Sequence, residues 1–326
     1  MATMQKVFAA YQSRLSTLQS TYPSNRYAAG IACIDNTLVP LADARIPITD
    51  QGFLKSDLTY DVPAIWDGRF FRLDDHLDRF ERSCSKMRYK SPLSREELKA
   101  KLIEMAALSG MRDVYVHIIV TRGMLPAMLV SEAEQVNNLY IIMKPYYWVM
   151  APEMQIAGTG AAVITKTVSR TPEHSVDPTV KNHQWGDFTR GVLEARDRGA
   201  KYPFLTDGQG ALTEGPGYNI VLVNRGVLYT PASGVLEGVT RLSVMDVARE
   251  KGVEARVERV PVKMAYSAEE IFMCTTAGGI MPITELDGKP VGDGLIGPVT
   301  KTIWDAYWEM HYNPNYSFEI SYEFSK

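Results

Sequence analysis

The chain has 326 residues, 45% of them hydrophobic and 22% charged, which is the composition of a globular protein long enough for two ordinary domains. A formal net charge of -3 offers no bulk attraction to nucleic acid or to an anionic membrane, and no long basic run offsets it. No apolar run approaches the roughly 20 residues that span a bilayer, and Met1 to Leu18 lacks the apolar core of a signal peptide, so a cytoplasmic protein with small-molecule partners is expected.

In chain order, an N-terminal helix comes first. Residues 59–66, the dipeptide Asp67-Gly68 and residues 69–73 read as a hairpin, because Asp-Gly supplies the positive φ angles of a tight turn. Leu77, Phe80, Cys84 and Met87 recur at three- and four-residue steps, predicting a helix over 75–87 with Asp74 or Asp75 as N-cap and Arg79 beside the apolar stripe. A second helix is predicted over 96–109, ended by Gly110, followed by strands over 114–121 and 139–144. Residues 148–152 read as a linker between a smaller N-terminal domain, 1–147, and a larger C-terminal one, 153–326. The second half alternates elements: a strand over 155–168, a helix over 185–198, paired strands 218–223 and 227–229, and a helix over 241–251. Strands at 255–260 and 271–274, a hairpin over 283–291 and a helix from Pro298 complete it. The fold class is α/β.

Several chemistries find no support. Cys33, Cys84 and Cys274 are widely spaced and read as reduced core thiols. The five histidines show no HxxxH or HxH spacing, so no metal site is expected. No G-x-S-x-G elbow is present.

What the sequence does offer is a lysine and a glutamate in unusual settings. Lys181 lies in Val180-Lys181-Asn182, ahead of a helix whose apolar face carries Trp185, Phe188, Val192 and Ala195. Glu214 precedes the turn Gly215-Pro216-Gly217. Pyridoxal phosphate needs a lysine amine for its Schiff base, a carboxylate for its ring nitrogen and a cradle of donors for its phosphate. Gly238-Val239-Thr240 opens a predicted helix, whose free N–H groups and positive dipole end suit a phosphate. Thr275, Thr276 and the glycines after them form a second possible cradle, and Arg79 could supply a fixed positive charge. Taken singly, each has a plainer alternative: a solvated lysine, an exposed turn glutamate, a threonine N-cap, a surface ion pair.

The order of these motifs narrows the choice. Asp50-Gln51-Gly52-Phe53, Ser56-Asp57-Leu58-Thr59-Tyr60-Asp61-Val62, Phe71-Arg72-Leu73-Asp74-Asp75-His76-Leu77-Asp78-Arg79, Val180-Lys181-Asn182, Thr213-Glu214-Gly215, Gly238-Val239-Thr240-Arg241 and Cys274-Thr275-Thr276-Ala277-Gly278-Gly279 follow one another. With them the chain resembles the fold-type IV pyridoxal-phosphate transaminases, and within that group the fungal (R)-selective amine transaminases. The resemblance implies an N-terminal α/β domain, a C-terminal pseudo-barrel, and a homodimer with the site at the subunit interface. It implies that Lys181 carries the Schiff base and acts as catalytic base, and that Glu214 holds the ring nitrogen. Leu236 would pack on the ring, while Arg79, Val239, Thr240, Thr275 and Thr276 would hold the phosphate. Tyr60, Val62 and Tyr115 would border a smaller substrate pocket, and Lys55, Trp185 and the loop after Arg122 a larger one, with His117 and Ala277 also at the substrate.

The resemblance has departures. Such enzymes carry a basic residue in the loop after Thr121-Arg122-Gly123 that binds the acceptor's carboxylate, whereas Met124 to Val130 has no charge here. Lys55 replaces a usual histidine, and His117 stands where glutamate is common. The implied activity is amino transfer from a primary amine to a 2-oxo acid, with pyridoxamine phosphate as the alternate cofactor form. Branched-chain or D-amino-acid transaminases, a lyase of the aminodeoxychorismate type and a non-catalytic vitamin B6 carrier are the alternatives.

Overall fold

The computed structural model describes residues 4–131 and 133–322. The chain divides into two compact units. Among the described residues, an N-terminal unit holds 6–131, 133–147, 180–183 and 310–322; a C-terminal unit holds 148–179 and 184–309, together with residues 4–5. The segment 148–152, expected as a linker, thus lies within the C-terminal unit, where Met150 is fully buried.

In the N-terminal unit, α1 (Met4–Ser20) leads to the strands β1 (Ile31–Ile34) and β2 (Thr37–Pro40) and a short helix α2 (Gln51–Lys55). Next come β3 (Leu58–Asp61), β4 (Ala64–Trp66), β5 (Arg69–Phe71), the helices α3 (Leu73–Met87) and α4 (Arg95–Ser109), and the long strands β6 (Val114–Thr121) and β7 (Asn138–Pro145). The hairpin expected from Asp67-Gly68 forms between β4 and β5, with Trp66 opposite Arg69. The strand expected over 59–66 is interrupted at Pro63, which has no N–H to give a ladder. The N-cap of α3 is Arg72, with φ 49° and no side-chain cap, rather than Asp74 or Asp75. Both carboxylates are engaged elsewhere: Asp75 accepts from Arg72 Nε at 2.7 Å, and Asp74 from Arg95 and Lys99. In contrast, α4 has a full capping box between Ser94 and Glu97 and stops at Gly110.

The alternation of β6 fixes the layers. Val114, Val116, Ile118 and Val120 are fully buried in the main core with Leu77, Phe80, Leu98 and Leu102 of the helices. The intervening Tyr115 and Ile119 face the other way and pack with Leu58, Tyr60 and Val62. A period of two therefore separates structural from site-facing residues on one strand.

The C-terminal unit begins with α5 (Pro152–Ala157) and β8 (Ala161–Ile164). A strand expected over 155–168 is thereby corrected: Pro152 at the first helical position starts a helix and Gly158 closes it. After α6 (Gly186–Asp197), β9 (Tyr202–Phe204) and β10 (Glu214–Gly215) come β11 (Tyr218–Asn224), β12 (Val227–Pro231), α7 (Val239–Lys251) and β13 (Ala255–Glu258). The unit ends with α8 (Val262–Tyr266), β14 (Glu270–Thr275), β15 (Gly279–Ile283), β16 (Glu285–Leu286), β17 (Lys289–Pro290) and α9 (Pro298–Met310). One sheet runs β13-β12-β11-β14-β15 with β10 on β11, and a second runs β17-β16-β8-β9. Finally β18 (Ser317–Glu319) pairs with β5, completing an N-terminal sheet ordered β18-β5-β4-β6-β7-β1-β2, with β3 on β6. Among the described residues, no helix is long and apolar enough to cross a membrane.

Candidate active site

The candidate residues fall in two groups, one in each unit. In the N-terminal unit the centre is Tyr60 on β3. The carbonyl of Lys181 accepts the N–H of Tyr60 at 3.1 Å and the hydroxyl of Thr59 at 2.7 Å, so residues 180–183 are tied to that strand although they lie 122 positions from Thr59. The half-buried Lys181 places Nζ 4.5 Å from the centre of the Tyr60 ring. His183 packs on the same ring at 4.4 Å, and His117 meets both Tyr60 and Tyr115 edge-on. Val62 is buried in this cluster. Lys55, at the end of α2, is exposed.

Behind Tyr60, the neighbouring residue Asp61 is fully buried. Its Oδ2 accepts from Arg79 Nε at 2.8 Å and its Oδ1 from Arg79 Nη2 at 2.9 Å, while His76 Nδ1 lies 2.7 Å from Oδ1. Burial alone would raise the Asp61 pKa, yet the Arg79 guanidinium and His76 hold it well below the usual carboxylate range. Arg79 is thus a buried, bidentate partner rather than a surface ion pair. Burial pushes the His117 imidazole down to about 3, helped by the charges of Lys144 and Lys181.

In the C-terminal unit the ladder itself gathers the residues. Glu214 pairs with Asn219 across β10 and β11, and Asn219 pairs with Cys274 across β11 and β14. Glu214, Asn219 and the Thr275-Thr276 loop are therefore neighbours by register. The peptide of Leu236 is held at both ends: its N–H donates to Glu214 Oε2, and its carbonyl accepts from Asn219 Nδ2, each at 2.9 Å. Two residues later α7 begins, with Gly238 as N-cap and no capping side chain. Thr240, read as a possible N-cap, instead lies buried in the first turn. A Cβ at 238 would stand 2.0 Å from Asn219 Oδ1, so a larger residue there would displace the Asn219 amide that holds Leu236. The first-turn amides of Val239, Thr240 and Arg241 cannot be satisfied within the helix, which leaves an anion-binding end beside Leu236. Ala277 is buried, and its carbonyl accepts the N–H of Val149. Trp185 lies edge-on to Phe188, 5.4 Å away.

Arg170 went unnoticed in the sequence. Its Nε donates to Glu214 Oε1 at 3.2 Å and its Nη1 to Asp187 Oδ2 at 2.6 Å, and its guanidinium lies 4.2 Å over the Phe188 ring. Burial would raise the pKa of Asp187, but the Thr171 amide and Arg170 lower it on balance. The carboxylate at 214 is thereby fixed by an amide and a cation. Next to it stands a helix end suited to phosphate, which is the donor set that a phosphorylated pyridine aldehyde requires. All three cysteines are buried and unpaired by disulfide, with burial pushing Cys84 and Cys274 up to about 12. Among the described residues, no cluster of His, Cys, Asp or Glu is placed to hold a metal.

Comparison with known proteins agrees with this chemistry. The profile of the amino-transferase class IV family matches residues 59–286. A putative branched-chain-amino-acid aminotransferase of Methanocaldococcus jannaschii is 30% identical over 279 residues, covering 85% of this chain and 95% of the relative. A D-alanine aminotransferase of Listeria monocytogenes is 27% identical over 292 residues, 85% of this chain and 94% of that protein. Among solved structures, the T.th. branched-chain amino acid aminotransferase complexed with N-(5'-phosphopyridoxyl)-L-glutamate superposes with a TM-score of 0.81 at 25% identity, over 90% of this chain and 99% of that one.

Proposed function

The chain belongs to the class IV aminotransferases, and on that premise we propose that it is a pyridoxal-phosphate enzyme moving an amino group from a primary (R)-amine to a 2-oxo acid such as pyruvate. The cofactor reading is supported by the fixed, buried Glu214 beside the α7 N-terminus, and by the phosphopyridoxyl group that the similar T.th. enzyme binds. Pyridoxal phosphate, when bound, supplies the electron sink that makes the substrate's proton removable.

The protein's own groups do the rest. Lys181 Nζ would anchor the cofactor and then accept and return the substrate proton, working as a general base. Glu214 would keep the ring nitrogen protonated. Val239, Thr240, Thr275 and Thr276 would hold the phosphate, with Arg79, oriented by Asp61, as a further donor to it and Leu236 against the ring. Tyr60, Val62 and Tyr115 would line the smaller substrate pocket. Lys55, His117, Trp185 and Ala277 would border the rest. A homodimer in the cytoplasm is the assembly and place this reading entails.

The observation that favours amines over amino acids is the loop after Arg122. Met124, Leu125, Met128 and Leu129 are all exposed on it, and no residue from 124 to 130 carries a charge for a substrate carboxylate. An amino-acid transaminase needs a strong carboxylate site for both substrates. The similarity to branched-chain and D-alanine aminotransferases keeps that second reading in play. The visible spectrum of the loaded protein separates them. Bleaching by (R)-1-phenylethylamine but not by its (S)-enantiomer is expected; bleaching only by D- or L-amino acids would move the assignment to the second reading. Absence of any visible band after adding pyridoxal phosphate would overturn both.

A further inference from the structure

Glu214 does not stand alone. Two carboxylates, Glu214 and Asp187, flank one guanidinium, Arg170, at 3.2 and 2.6 Å, and Arg170 is itself buried on the face of Phe188. A guanidinium facing Glu214 alone would cancel the charge that a pyridinium needs, because an ion pair presents little net charge to a third group. Asp187 changes this balance. Two negative charges and one positive leave a single net negative charge on the triad, and Glu214 is its member next to the Leu236 peptide. The nearby Arg241 also acts on Glu214 through its charge, but it makes its hydrogen bond elsewhere, its Nη1 donating to the carbonyl of Pro231 at 2.8 Å.

We propose that Asp187 and Arg170 are positioning residues that set the charge and orientation of Glu214, and so the protonation of the cofactor's ring nitrogen. Arg170 fixes Oε1 while the Leu236 amide fixes Oε2, which locks the carboxylate plane. Asp187 takes up the second arm of the guanidinium and returns to Glu214 the negative charge that Arg170 would otherwise neutralise. Asp187 is held in turn by the N–H and hydroxyl of Thr171 on Oδ2 and by the Phe188 N–H on Oδ1, so its position does not depend on Arg170 alone. The inference rests on the reading of Glu214 as the partner of the ring nitrogen.

The test is the nitrogen-15 resonance of the enzyme loaded with ring-labelled pyridoxal phosphate, together with the cofactor's dissociation constant. Asp187→Asn keeps the shape and an acceptor for Thr171 but removes the charge. The resonance should move toward that of unprotonated pyridine, and cofactor binding should weaken about tenfold, the change that one pKa unit represents. Asp187→Glu, which restores the charge, should recover both readouts; a merely structural role would show no such dependence on charge. Glu214→Gln provides the reference. If Glu214→Gln moves the resonance while Asp187→Asn leaves it in place, this inference fails and the Glu214 reading stands. If neither variant moves it, Glu214 is not the nitrogen's partner and both fall.

Discussion

His117 is an imidazole placed where charge is unwelcome. It is packed between the Tyr60 and Tyr115 rings, and burial together with Lys144 and Lys181 pushes its pKa down to about 3. The unfolded chain, with an ordinary histidine near 6.5, binds this proton more readily than the native state does. Stability is therefore lost as pH falls below about 6.5, and the loss continues to about 3, with a limiting slope of about 1.4 kcal/mol per pH unit. His117→Phe removes the titration and keeps an aromatic ring in the cluster. Urea denaturation between about pH 6 and 4 should show a slope flatter by up to about 1.4 kcal/mol per pH unit; an unaltered slope would mean that His117 titrates normally. The residues that sequence reading singled out share one trait: Lys181, Glu214 and Thr240 sit in segments whose neighbours are themselves unusual, such as Gly215-Pro216-Gly217 and Gly238. Arg170 and Asp61 carry no such local mark. Their partners lie 44 and 18 positions away, and only the fold brings them together.

At the scale of elements, α3, α4, α7, β6 and β7 were legible because a long apolar period leaves few alternatives. The short α2 and α5 were not. Five- or six-residue helices are too brief to show a period, and α2 exists because the buried Asp50 caps it, accepting the Gly52 N–H while also receiving Thr121, Asn138 and Tyr140. That cap sits next to the loop that distinguishes this chain. Its neck is closed from both ends. Arg122 reaches Asp57, the Met87 carbonyl and the Tyr89 ring, and Asn137 bridges the Thr121 carbonyl and the Lys90 N–H. Gly123 adopts φ 86° where a Cβ would stand 2.0 Å from the Val136 carbonyl. A neck so fixed tolerates change at the tip, where Leu129 is exposed. Leu129→Arg should therefore fold normally and supply the absent carboxylate partner, lowering the KM for pyruvate by severalfold, about 1 kcal/mol for an exposed charged contact. An unchanged KM would show that the acceptor's carboxylate is bound elsewhere.

At the scale of the whole molecule, the family and the α/β class were within reach of the sequence because the motifs occur in order along the chain. The composition of the units was not. Residues 180–183 carry a lysine of the C-terminal half of the sequence, yet they are joined to β3 by the hydrogen bonds that the Lys181 carbonyl accepts from the Tyr60 N–H and the Thr59 hydroxyl. Assembly is the property least visible in one chain, and here an apolar surface speaks to it. Ile48, Phe53, Leu54, Met124, Leu125, Met128 and Val136 are each more than a third exposed. They come from two segments that Gln51 ties together, its N–H donating to the Gly123 carbonyl and its side-chain amide to that of Met124. Monomeric proteins rarely leave so many large apolar side chains together in water, because each buried CH₂ is worth about 0.8 kcal/mol. A second copy of the chain is the partner that the homodimer reading requires. Sedimentation at micromolar concentration should give a dimer. The double substitution Ile48→Asp and Phe53→Asp places two charges where apolar contacts are expected, and should raise the dimer dissociation constant by about 100-fold or more, about 2.7 kcal/mol. Its far-ultraviolet circular dichroism should stay unchanged, because both side chains are exposed within the subunit. A variant that still sediments as a dimer with wild-type affinity would place the subunit contact on another face.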